Sequence, residues 1–190
     1  DGDDQLMASA GNDAVTGGLG NDTILSGTGD DWVSDGEGND YVDLAEGNDT
    51  VVASLGDDTY FGGKGFDTLD YSASNGGIVA DLSKSTIVGL GVDTVTGFEK
   101  IIGTAFDDNI KGSKGADVIQ AGEGDNVLRG MGGADDLTGG FGEDTFAYKT
   151  ADVVGMDGSS LGVDTIHGFE GNDHLDIRGG FRIRRRPCDR

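Results

Sequence analysis

The chain has 190 residues, room for one or two ordinary domains, yet 37 are glycine, only 1 is proline, and acids outnumber bases 36 to 13 for a net charge of -23. Six of those bases and a single acid lie in residues 178–190, so the body is more acidic still, which disfavours nucleic acid and anionic membrane as partners and makes cations the natural counter-species. No apolar run of 18 residues and no recognisable signal peptide is present, and Cys188 stands alone, so neither a membrane span nor a disulfide framework is expected.

Residues 1–70 repeat one unit at an interval of nine. Glycine stands at Gly2, Gly11, Gly20, Gly29, Gly38, Gly47, Gly56 and Gly65. Two residues later come Asp4, Asp13, Asp22, Asp31, Asp40, Asp49, Asp58 and Asp67, and two beyond those Leu6, Val15, Ile24, Val33, Val42, Val51, Tyr60 and Leu69. Acidic, glycine-rich sequence usually signals disorder, but disorder does not hold aspartate in one phase and aliphatics in another. The chain therefore reads as a repeat protein.

In the unit from Gly17 to Leu25, the last three residues predict a short strand with Ile24 as its one inward side chain. The first six predict a turn, whose glycines at the second and fourth places take positive φ without a Cβ clash. Stacking such units in parallel buries a continuous aliphatic ladder, but it also sets aspartates about 4.8 Å apart. Like charges at that distance repel by roughly 1 kcal/mol in water and several times that where partly shielded. A divalent ion between successive carboxylates reverses the sign. Carboxylate and carbonyl oxygens without nitrogen or sulfur suit a hard cation, and their loose geometry favours calcium over magnesium.

Residues 71–103 break the period, since Asp67 and Asp108 are 41 residues apart. Alternation at Ile78–Leu82 and Ile87–Leu90 predicts an irregular, strand-rich insert that continues the stack, with Glu99 and Ile101 as a degenerate repeat. A second array, 104–148, restores the period with Asp108, Asp117, Asn126, Asp135 and Asp144, trailed by Ile110, Ile119, Leu128, Leu137 and Phe146. Residues 149–177 are expected to close the last coil, which would otherwise expose its ladder and an unpaired edge. The basic tail, 178–190, departs from the composition of the rest and reads as a vector-derived or frame-shifted end, or else as a basic interaction tail. The acidic opening at Asp1 reads as a cut inside a longer protein whose upstream domain is missing.

These units resemble the RTX (repeats-in-toxin) nonapeptide, glycine-glycine-x-glycine-x-aspartate-x-aliphatic-x, over 1 to about 177. The resemblance implies an all-β fold, a right-handed parallel β-roll with two nonapeptides per coil, in which repeats eighteen residues apart sandwich each ion. It pairs Asp4 with Asp22, Asp13 with Asp31, Asp22 with Asp40, Asp31 with Asp49, Asp40 with Asp58 and Asp49 with Asp67. In the second array it pairs Asp108 with Asn126, Asp117 with Asp135 and Asn126 with Asp144. It also implies carbonyl ligands in the turns, at Gly11, Gly18, Gly20, Gly27, Gly29, Gly36, Gly38, Gly47 and Gly56, and at Gly115, Gly122, Gly124 and Gly133. Asn126 brings a neutral oxygen to two sites, and Phe106 replaces a glycine. Ser9, Ala45 and Ser54 do likewise but keep their carbonyls. The segment after Phe146 resembles the closing region of serralysin-type proteases. What the family implies is a secreted bacterial protein that passes type I secretion machinery and folds on extracellular calcium.

Enzyme readings are weak by comparison. GSSLG at 158–162 fits the Gly-x-Ser-x-Gly elbow around Ser160 but lacks its strand-turn-helix setting. Two histidines, His167 and His174, with no His-Glu-x-x-His, make no zinc centre. The sequons at Asn21 and Asn48 fall inside the calcium turns. A noncatalytic calcium module is therefore expected, either appended to a secreted protease, lipase or polysaccharide-modifying enzyme or serving as an adhesin or surface-layer stalk. Ice binding is disfavoured, because the third turn place reads Ala10, Leu19, Thr28, Glu37, Glu46, Leu55 and Lys64 rather than a threonine row.

Overall fold

The computed structural model describes residues 1–149 and 162–178. Ser160 and the tail from 179 lie outside them. A repeat that alternates strand and turn buries its aliphatics by winding each strand back above an earlier one. The first array supplies β1 (Gln5–Ala10), β2 (Ala14–Leu19), β3 (Thr23–Thr28), β4 (Trp32–Glu37), β5 (Tyr41–Asp43), β6 (Thr50–Val52), β7 (Thr59–Phe61) and β8 (Thr68–Asp70). Successive strands go to opposite sheets, so two repeats complete one coil. Cα partners are consequently eighteen residues apart, as in Gln5 with Thr23 and Val33 with Val51. The chain is nearly all β, in parallel sheets of short strands, the arrangement of a β-roll.

The core is two facing ladders. Ile24, Val42, Tyr60 and Val95 stack in one sheet, and Val33, Val51, Leu69, Ile101, Ile119 and Leu137 in the other, all essentially without solvent contact. The expectation of one inward side chain per repeat needs correction. β1 to β4 run for six residues, through the first three turn places, and alternation along six residues turns a second side chain inward. That side chain is the first of the turn, Ser26 in β3 and Asp35 in β4, and the same place is buried at Leu44, Ala53 and Tyr71, which directly follow three-residue strands.

The insert forms β9 (Val79–Asp81), a 3-10 turn at Leu82–Lys84, β10 (Thr86–Val88), β11 (Val92–Thr96) and β12 (Lys100–Ile102). It continues the stack, but out of chain order. β11 pairs with β7 in parallel, β10 is antiparallel to both β11 and β9, and β9 carries the next coil. In the opposite sheet β12 bridges β8 directly to the second array. One sheet thus gains two strands that the other lacks, and Ile78, Ala80 and Ile87 fill the added core.

The second array supplies β13 (Asn109–Lys111), β14 (Val118–Glu123), β15 (Val127–Arg129), β16 (Asp136–Phe141) and β17 (Thr145–Lys149). Beyond it, β18 (Thr165–His167) pairs with β16 and β19 (His174–Arg178) with β17, both parallel. The described part of 149–177 therefore extends both sheets by a strand each. Among the described residues no helix is long and apolar enough to cross a membrane.

Candidate metal centre

The turns that join the strands form the two long edges of the roll. At the second place Gly36 has φ +103°, and at the fourth Gly38 has φ +139°, values that a Cβ opposes. Each also lies against the coil below. A Cβ on Gly36 would sit 1.9 Å from the Gly18 carbonyl oxygen, and one on Gly38 would sit 2.0 Å from that of Gly20. Glycine is thus required twice over, by backbone angle and by the closeness of stacking.

That stacking aligns the aspartates. The amide N–H of Asp4 donates to the Asp22 carboxylate at 2.8 Å, and the same bond runs from Asp13 to Asp31, Asp22 to Asp40, Asp31 to Asp49, Asp40 to Asp58 and Asp49 to Asp67 at 2.7–2.9 Å. In the second array it links Asp108 to Asn126, Asp117 to Asp135 and Asn126 to Asp144 at 2.9–3.0 Å. All nine pairs named from the sequence are brought together.

Four further members of these rows lie outside the named pairs; Glu99 is the degenerate repeat expected from the sequence, and the other three escaped the sequence reading of the site. The N–H of Asp58 donates to Asp93, that of Asp67 to Glu99, that of Asp135 to Asp164 and that of Asp144 to Asp173. Three carried the signal: Gly91-x-Asp93-x-Val95, Gly162-x-Asp164-x-Ile166 and Gly171-x-Asp173-x-Leu175 repeat the unit out of phase with the nine-residue count. The fifth turn place was also missed. Side chains of Asp3, Asn21 and Asn39 accept from the N–H of Asn21, Asn39 and Asp57, and Asn12 and Asp30 from those of Asp30 and Asn48, so these residues staple one coil to the next.

From Asp22 to Asp67, each ladder carboxylate of the first array spends one oxygen on the amide of the neighbouring coil. The other oxygen, in Asp22, Asp31, Asp40, Asp49 and Asp67 and again in Asp144, is buried and has no hydrogen-bond partner. Buried acceptors are normally satisfied, so a row of orphans calls for a cation. The first-place glycines keep space in front of them: a Cβ on Gly17 would lie 2.5 Å from Asp22 Oδ2, and one on Gly139 would lie 2.1 Å from Asp144 Oδ2. No backbone N–H of the described residues donates to the carbonyls of Gly11, Gly20, Gly29, Gly38 or Gly47. Burial, aided by neighbouring carboxylates, pushes Asp40, Asp49 and Asp58 up to about 6, the sign of negative charge without compensation. Oxygen-only donors with unspent valence fit calcium.

The second array is less open. Thr104, at a second place, gives its N–H and hydroxyl to Asp108, and Ser113 does the same to Asp117, so both oxygens of each carboxylate are engaged. Gly115 does not take the positive φ of its counterparts. The Asn126 amide donates to the Gly124 carbonyl at 3.0 Å, supplying a hydrogen where the other turns leave oxygens bare. As chelator is added, the second array is expected to lose calcium before the first. Asn126→Asp removes that donor and adds a charge, and is expected to tighten the array about tenfold, on the order of 1.4 kcal/mol. Calorimetric titration of both chains checks this; simultaneous or reversed loss in the parent, or no gain in Asn126→Asp, contradicts it.

The chain matches no curated protein. The sequence model of the RTX calcium-binding nonapeptide repeat, which spans four copies, matches residues 1–33, 16–51, 34–69, 93–119, 102–137, 112–146 and 160–181. These stretches cover the greater part of the chain, including the insert strand that bears Asp93 and the turns at Asp164 and Asp173. Stacked Gly-x-Asp-x-aliphatic turns, oxygen-only donors and buried carboxylates awaiting a cation are what such a repeat requires, and this chain belongs to the family of RTX calcium-binding nonapeptide repeats.

Proposed function

We propose that the chain is a noncatalytic module of a secreted bacterial protein, held unfolded by low cytosolic calcium and folded by calcium after type I secretion. The unpartnered Oδ2 row of Asp22, Asp31, Asp40, Asp49 and Asp67 carries this reading, because closing the stack without an ion buries repelling charge. Each ion lies between carboxylates eighteen residues apart, with turn carbonyls completing its shell. Affinities are of the ~10⁻⁴ to 10⁻³ M class of extracellular calcium modules, far above the free calcium of a cytosol. The segment after Phe146 shields the last coil, a role supported by the Phe169 ring, 5.8 Å from that of buried Phe146.

Crystals grown in calcium test the ligand set. Anomalous difference peaks are expected in two rows along the first array, at the six pairs from Asp4/Asp22 to Asp49/Asp67. Empty turns, or turns holding a transition metal, overturn the reading.

A further inference from the structure

Asp35 stands at the first place of its turn, where Gly17, Gly62 and Gly139 stand in theirs. A Cβ at those glycines points at the Oδ2 of the aspartate five residues on, so the Asp35 side chain is directed at Asp40. Asp35 is wholly buried, and one oxygen from each of Asp35, Asp40 and Asp58 lies within 4.8 Å of the others. The hydrogens available to this trio are few. Asp35 Oδ1 accepts from the Gly36 N–H at 2.9 Å, Asp40 Oδ1 from the Asp22 N–H at 2.7 Å, and Asp58 Oδ1 from the Asp40 N–H at 2.8 Å. One phenolic hydrogen reaches two of the three inner oxygens: Tyr60 O–H lies 2.9 Å from Asp58 Oδ2 and also contacts Asp35 Oδ2. Asp40 Oδ2, in a residue 3 % exposed, has no partner at all.

We propose that Asp35, Asp40 and Asp58 hold a further divalent cation of the calcium class on the inner side of the turn row, a site set by the aspartate that replaces the motif's first glycine. It rests on the calcium reading above and shares Asp40 and Asp58 with the turn ion between them, but differs from the turn sites in needing Asp35, a residue that those sites do not use. The donors are again oxygen alone, three carboxylates with the Tyr60 hydroxyl beside them, which selects a hard cation. A cation also resolves the count of hydrogens, since one O–H cannot serve three acceptors.

The test compares the full 190-residue chain with Asp35→Ala, a residue already present at the equivalent place as Ala53, and with Asp35→Asn, which keeps shape and removes charge. Equilibrium dialysis in millimolar calcium is expected to show one ion fewer per chain in both variants, with β structure retained. Crystals of the parent in calcium are expected to show an anomalous peak bounded by Asp35, Asp40 and Asp58. Turn peaks without that peak, or equal ion counts in parent and variants, overturn the inference and leave the calcium module standing. A parent that binds no calcium overturns both.

Discussion

Chelating calcium will abolish the β-type far-ultraviolet circular dichroism of this chain, and returning it at millimolar concentration will restore the signal, while magnesium will not. The reason lies in the two carboxylate rows. Folding draws together charges that repel by roughly 1 kcal/mol per neighbour in water and more where shielded, and it leaves the Oδ2 atoms of Asp22, Asp31, Asp40, Asp49 and Asp67 buried without hydrogens. An ion that binds only the folded stack contributes about 1.4 kcal/mol per site at tenfold excess over its dissociation constant. About six sites in the first array then contribute about 8 kcal/mol, the size of a whole domain's stability. Because each ion joins two coils, the transition should be steep in calcium concentration. Magnesium fails because it demands octahedral geometry and holds its water too firmly for loose turns. A chain already β-folded in chelator, or folded equally by magnesium, contradicts this account.

Gly36→Ala will destabilise the calcium-bound roll far more than Gly18→Ala. Both glycines occupy the second turn place, with φ +103° and +118°, so both variants carry the backbone strain of a side chain in that region, about 1–3 kcal/mol. Only Gly36 has a coil beneath it. Its added Cβ would fall 1.9 Å from the Gly18 carbonyl oxygen, whereas one on Gly18 meets nothing within 4 Å. Relieving that clash separates two coils, lengthens the ladder bonds around it and spoils the neighbouring turn geometry. A total loss above about 4 kcal/mol is expected for Gly36→Ala against about 1–3 for Gly18→Ala. Urea or thermal unfolding at fixed calcium measures the difference, and equal losses would show that coil contact plays no part.

The sequence alone determined the repeat, the strand-turn alternation and the oxygen chemistry, because these rest on local needs: positive φ where glycine falls, one face apolar, carboxylates in phase. The period by itself left the row partners open, since aliphatics meet aliphatics equally at nine or eighteen residues; the RTX resemblance implied eighteen, and the alternation of successive strands between two sheets realises it. Asp22 finds Asp40 and Ile24 finds Val42 for this reason. Residues off the period were a different matter. That Asp93 lies beside Asp58 depends on β9 to β11 folding back in reverse order, a choice made by which sheet edges stand open rather than by local sequence. Thr104 and Ser113, at second turn places, went unread, although their hydroxyls reach Asp108 and Asp117 within the same turn, four residues on. Asp35 was one more acid in an acidic chain; the inward direction of the first turn place, shared with Leu44 and Ala53, set it against Tyr60 and away from water. Spacing along the chain decides what can line up, and tertiary packing decides what is then shut off from solvent.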